Sequence, residues 1–153
     1  MAGLGIAALI DAITSHASTL GVFDVVQGHE PKSAPGNGLT YAVFVNSVAP
    51  ARGASGLAST SARVELTGRI YKTFKSEPED LIDPELTITA DLLFTKYSGD
   101  FDLGGSARNV DLLGAQGQPL SARFGYQTID KTVYRVCDIT IPIVVSDAWD
   151  QQA

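Results

Sequence analysis

Between Leu4 and Leu20 apolar residues recur at Ile6, Leu9, Ile10, Ile13, Ala17 and Leu20, the i, i+3, i+4, i+7 stripe of an amphipathic helix, and Gly21 is placed to stop it. Val22 to Val26 is a short apolar run with the look of a strand. It breaks into Gly28 to Gly38, which holds two prolines and three glycines and reads as a loop. Leu39 to Ala49 is rich in Tyr, Val and Phe. Ala62 to Phe74 alternates, with Val64, Leu66, Ile70 and Phe74 on one face and Arg63, Glu65, Thr67, Arg69 and Tyr71 on the other. These two segments predict long strands. Pro50 to Ser61, which joins them, is almost entirely Ala, Gly and Ser, so a mobile hairpin tip without side chains to pack itself down is expected.

A second helical stripe follows. Asp83-Pro84-Glu85 offers an N-cap, a first-turn proline and a first-turn acid, and Leu86, Ala90, Leu93, Phe94 and Tyr97 then share a face, predicting a helix over 84–97 ended by Gly99. Three strands are predicted after it: Ala107 to Leu112, Leu120 to Gln127, and Thr132 to Val145, the last two joined by a turn centred on Asp130. In the final strand Val133, Cys137, Ile139, Ile141, Ile143 and Val145 share a face. Pro142, which lacks an N–H for the ladder, places that strand at a sheet edge or at a bulge. The order predicts an α+β fold with two helices packed on one mainly antiparallel or mixed sheet. It forms one domain over residues 1–153, with 1–3 and 148–153 as flexible termini.

The composition narrows what such a fold does. Of 153 residues 44% are hydrophobic and 18% charged, so the chain folds around one core. Eleven Lys and Arg against 17 Asp and Glu give a net charge of -6, the wrong sign for gripping a phosphate backbone. Cys137 is the only cysteine, which excludes an intramolecular disulfide and a Cys-rich zinc site and fits a reducing compartment. The first 20 residues lack a basic leader and carry Asp11 and His16 within the apolar pattern, so cytosolic synthesis without secretion or membrane spanning is expected.

The possible chemical motifs are incomplete. Gly3-Leu4-Gly5-Ile6-Ala7-Ala8 spells G-x-G-x-x-A, but no strand precedes it to form the dinucleotide-binding turn, and a flexible leader is the simpler reading. Ser55 in Gly53-Ala54-Ser55-Gly56 is not in a nucleophile elbow. The two histidines, His16 bordering the helix stripe and His29 in a loop, do not supply a local triad. His29-Glu30, the acidic run Glu77-Pro78-Glu79-Asp80 and Asp100-Phe101-Asp102-Leu103-Gly104 each fall short of a metal-ligand set. Cys137, on an apolar strand face, reads as a small buried hydrophobe. Neither a cofactor nor a catalytic or metal-binding residue is predicted. A small hydrolase using His16 or His29 as base, or a monomeric ligand-binding module, would be the alternatives of another class. The long small-residue loops and a free sheet edge point instead to a protein that works by contact.

Several strings sharpen this. His29-Glu30-Pro31-Lys32-Ser33-Ala34-Pro35-Gly36-Asn37-Gly38-Leu39, Gly56-Leu57-Ala58-Ser59-Thr60-Ser61-Ala62-Arg63-Val64, Tyr97-Ser98-Gly99-Asp100-Phe101 and Arg108-Asn109-Val110-Asp111-Leu112-Leu113-Gly114 stand out, with Asp83-Pro84 and the Tyr134 to Asp147 strand. Together the chain resembles the tail terminator proteins of long-tailed (siphovirus-type) bacteriophages of actinobacteria, over nearly all residues after 10.

The resemblance implies a virion subunit forming a homo-oligomeric ring, usually of six copies, on the head-proximal end of the tail tube. There it stops polymerisation of the major tail tube protein and presents a surface to head-completion or connector proteins, with no enzymatic step and no cofactor. Six copies at -6 each would carry -36, and an acidic lumen would let genomic DNA pass without sticking. A head–tail connector or neck subunit of the same virion is the nearest alternative. On this reading the 50–61 tip, through Arg52, Ser55, Leu57 and Ser59, and the 28–38 loop, through Lys32 and Asn37, contact neighbouring subunits or the tube ring. Arg63, Glu65 and Arg69 either form inter-subunit ion pairs or make an ordinary solvated face.

Overall fold

The structure is a computed structural model that describes residues 3–75 and 77–152. The expected looseness of residues 1, 2 and 153 lies outside the described residues. Helix α1 spans Ile6–Leu20 and buries Leu9, Ile13 and Ala17, the centre of its predicted stripe; Gly21, at φ 70°, closes it in the left-handed conformation. Strand β1 is Val25–Gln27, starting three residues later and ending one later than the expected run. Strands β2 (Thr40–Pro50) and β3 (Ser59–Thr73) match the two long predicted strands, and helix α2 runs over Ile82–Gly99. Strand β4 is only Asn109–Val110. Strand β5 is Ser121–Ile129 and strand β6 is Thr132–Asp150. The fold is α+β, with a mixed sheet in the order β1-β2-β3-β6-β4 and β5 also paired to β6; only β1 with β2 is parallel. No helix among the described residues is long and apolar enough to cross a membrane.

Both helices lie on one face of this sheet. Their buried residues meet Tyr41 and Val43 of β2, Val64, Leu66 and Ile70 of β3, and Cys137, Ile139, Ile141 and Ile143 of β6 in one apolar cluster. Each such Leu or Ile, fully removed from water, contributes about 1.5–3 kcal/mol before the entropy of ordering is set against it. Phe74 and Val133, expected on this face, lie past the helices' cover and are 49% and 40% exposed. Burial also pushes the Cys137 thiol up to about 12, with the neighbouring Asp138 carboxylate adding to the shift.

Three expectations give way. Strand β6 is not an edge: it pairs with β3 from Thr132's end to its own, and on its other side with β5 and then β4. Pro142 is tolerated there because its N–H side faces the break between those two neighbours. Ser121 of β5 pairs with Thr140, while the Asp111 N–H already donates to the Pro142 carbonyl at 2.8 Å. Residues 148–150 continue β6, with Ala148 fully buried and its carbonyl accepting from the Gly3 N–H at 2.7 Å, so this end is tied down. Asp83 does not cap α2, which begins two residues before Pro84, after a 3₁₀ turn over Glu79–Leu81. Its carboxylate instead takes the Arg135 Nε–H at 2.9 Å, and this hydrogen bond holds it below its ordinary pKa.

One close approach locks helices to sheet. The hydroxyls of Tyr41 and Tyr97, both fully buried, lie 2.9 Å apart, and Tyr41 stacks on Phe23 at 5.1 Å. The Tyr41 ring lies over Gly68, where an added Cβ would stand 2.1 Å from its oxygen. Gly68→Ala is therefore expected to cost about 1–3 kcal/mol in chemical denaturation through overpacking. Gly125→Ala, also in a strand but with nothing within 4 Å of the new methyl, should stay within about 0.5 kcal/mol of the parent.

Candidate functional site

The face of the sheet away from the helices carries the alternate residues of the same strands, and it divides into three zones. At one end the 28–38 loop folds over it. Ala34 packs on Ala42, Tyr71, Tyr134 and Val136, the Tyr134 hydroxyl donates to the Pro35 carbonyl at 2.5 Å, and the Ala34 N–H donates to Asp130 at 3.0 Å. This loop thus covers its own sheet and leaves Lys32 and Asn37 exposed.

At the other end a second loop, 111–119, lies over Arg63. This side chain was expected to point outward, and it does point away from the helices, yet Arg63 is only 5% exposed. Its guanidinium donates to the Gln118 carbonyl and lies 3.3 Å from Glu65 and 3.5 Å from Asp111. Asp111, itself buried, accepts the N–H groups of Ala115 and Gln116 at 2.8 Å each, so one carboxylate ties the arginine to the loop above it. A Cβ on Gly117 would fall 2.7 Å from the Arg63 guanidinium carbon, which explains a glycine at the crossing.

Between the loops lies an open polar groove of about 580 Å³. Arg69 crosses it, with Nε donating to Asp138 at 2.5 Å and its guanidinium 5.4 Å from the centre of the Phe44 ring. Glu65 and Arg123 line the same groove, and Ser47 donates to Glu65 at 3.0 Å. Charges of both signs, Arg69, Asp138, Glu65 and Arg123, line it.

The β2–β3 tip is ordered by its serines, contrary to the mobility predicted from composition. Ser55 Oγ donates to the Ala51 carbonyl at 2.7 Å and accepts the Ser61 N–H at 3.1 Å. Ser61 Oγ donates to the Ala54 carbonyl at 2.8 Å and accepts the Asp147 N–H at 3.1 Å; Ser59 Oγ donates to the Asp147 carboxylate at 2.5 Å. Arg52 is exposed in a short 3₁₀ turn, and Leu57, between Gly56 and Ala58, is 98% exposed. Arg52, Ser55, Leu57 and Ser59 therefore form one patch at the tip. Arg69 and Glu65 form a second in the groove, and Lys32 and Asn37 a third at the far end.

Sequence reading missed an apolar groove of about 550 Å³ beside α2, lined by Val22, Leu39, Leu81, Pro84, Ile88 and Leu92. Its signal was available: Leu81, Ile88 and Leu92 recur at helical spacing, off the stripe that α2 buries. Leu81 is 52% and Ile88 61% exposed.

Both histidines have hydrogen-bond partners within the fold. His16 Nε2 donates to Asp100 at 2.8 Å, and Asp100 also accepts the Gly104 N–H at 3.0 Å; His16 first and then this N–H hold its carboxyl below 3.8. His29 Nδ1 donates to the Glu30 carbonyl at 2.8 Å. Among the described residues no three His, Cys, Asp or Glu side chains converge as a metal site. No family model matches the chain, and no curated protein matches it either.

Two outcomes follow from these contacts. Ser61→Ala leaves the Ala54 carbonyl and Asp147 N–H without their partner, so it is expected to cost about 1–3 kcal/mol and to speed proteolytic nicking within 52–58. Because Asp100 titrates lower folded than unfolded, its contribution is complete above 3.8 and is lost as pH falls through the lower folded value. Asp100→Asn should therefore lower the thermal midpoint at neutral pH and flatten its fall below about pH 4.

Proposed function

We propose that the chain is a tail terminator: a structural virion subunit that assembles as a ring, of six copies on the family pattern, at the head-proximal end of a siphovirus tail tube. It caps the growing tube, joins it to the connector, and makes or breaks no bond. The observation that carries this reading is the placement of apolar surface outside the core. Leu57 and Leu113, 98% and 93% exposed, stand at the tip end, and Leu81 and Ile88 stand at the opposite end. Solitary exposed side chains are ordinary, but such sets at both ends of a small chain mark surfaces with partners.

Two further features support it. Beyond Ala42 the outer edge of β2 pairs with no strand among the described residues, and neither does the outer edge of β5, so the sheet offers a free edge on each side. A subunit with different binding surfaces at its two ends associates head to tail, and closure of that association into a ring is what ends growth. The net charge of -6 per copy suits a lumen through which DNA slides.

The test is electron microscopy of tails assembled with and without the chain. Tubes are expected to overgrow when it is absent and to regain uniform length when it is restored. Tails of normal length in its absence would refute the proposal, and particles with normal tails but unjoined heads would favour the connector alternative.

A further inference from the structure

The tip presents an exposed leucine and an arginine, and the groove beside α2 is apolar with acids along the segment that forms it. Leu57 stands between two residues with little or no side chain at the end of a hairpin held by serine hydrogen bonds, so it projects as a single apolar knob. The groove of about 550 Å³ lies on the opposite end of the sheet, where β3 and β5 finish, and exposes Leu81, Ile88 and Leu92. Knob and groove on one chain cannot meet within that chain.

Arg52, exposed, is the only charged side chain of the tip itself, residues 50–61, and the Asp147 carboxylate beside it is taken up by the Ser59 hydroxyl. Residues 77–92 contain Glu77, Glu79, Asp80, Asp83, Glu85 and Asp91 and no base. Lys72 and Arg135 answer two of these acids, Glu85 and Asp83, from the sheet, which leaves the groove's surroundings acidic. An apolar contact ringed by opposite charges is both attractive and oriented.

We propose that the occupant of this groove is a second copy of the chain, with Leu57 seated among Leu81, Ile88 and Leu92 of its neighbour and Arg52 facing the acids of the 77–92 segment. The contact is heterologous: each copy gives its knob to one neighbour and its groove to the other. It rests on the ring reading above for its closure into a circle, while the pairwise contact stands on the two surfaces alone.

The test uses full-length Leu57→Cys mixed with full-length Ile88→Cys under mild oxidation with diamide; the native Cys137 is buried and does not compete. A disulfide-linked pair is expected in several-fold higher yield than from Leu57→Cys mixed with Ser106→Cys, an exposed position away from the groove. Adding Arg52→Glu to the first partner, or raising salt to about 0.5 M, should cut that yield. Equal yields from the two mixtures would overturn the proposal. So would a Leu57→Asp variant that folds and still caps tubes at normal length, and in that case the tail-terminator reading would survive. Specific cross-linking together with tails indifferent to the chain would refute that reading and leave the contact standing.

Discussion

The antiparallel pairing of β3 with β6 is the constraint on which the other elements depend. From Thr73 opposite Tyr134 to Ser59 opposite Asp150 the two strands run side by side almost without interruption. Strands β2 and β1 are added on its β3 side and β4 and β5 on its β6 side, and both helices cover one of its faces. The alternation of residues along it fixes which side chains face the helices, because a slip by one residue would expose Leu66, Ile70, Ile139 and Ile141 together. Register and core are thus the same decision.

The other face is finished differently, since no third α-helix among the described residues covers it. Two loops and a set of charges do this. The 28–38 loop shields Tyr71 and Tyr134, the 111–119 loop shields Arg63, and Arg69 with Asp138 occupies the space between. The buried Arg63 guanidinium ties the 111–119 loop to the sheet through the Gln118 carbonyl and Asp111, although its Nε makes no hydrogen bond among the described residues. That geometry sets where the neighbouring tip can lie, because Gln116 of the same loop accepts the Gly53 N–H at 3.0 Å.

Much of the fold was legible in the sequence for physical reasons. The stripe of α1, the alternation of β3 and the turn at Asp130 each depend on local periodicity, and the core residues follow from them. What was not legible depends on contacts distant in sequence. Asp83 looks like a cap until Arg135, 52 residues on, is seen to take its carboxylate. Pro142 reads as an edge signal because nothing local says that β5 ends and β4 begins opposite it. The tip's serines look featureless in composition, whereas their partners are carbonyls across a turn and Asp147 from another strand. Of the candidate surface, Leu57 and Arg52 could be picked out by position in a loop; of the groove beside α2 only the spacing of Leu81, Ile88 and Leu92 was readable, not the joining of Val22 and Leu39 from two other segments.

The Ser55–Ser61 hydrogen bonds bear on the energetics of any encounter the tip makes. A glycine-rich loop of this composition, left free, would surrender backbone freedom of about 1–2 kcal/mol per residue when a partner immobilised it. Here that loss is already incurred during folding, under the cooperative stability of the whole sheet. Preorganisation of this kind would leave more of the free energy of the proposed contact, one leucine and one arginine, to show as affinity.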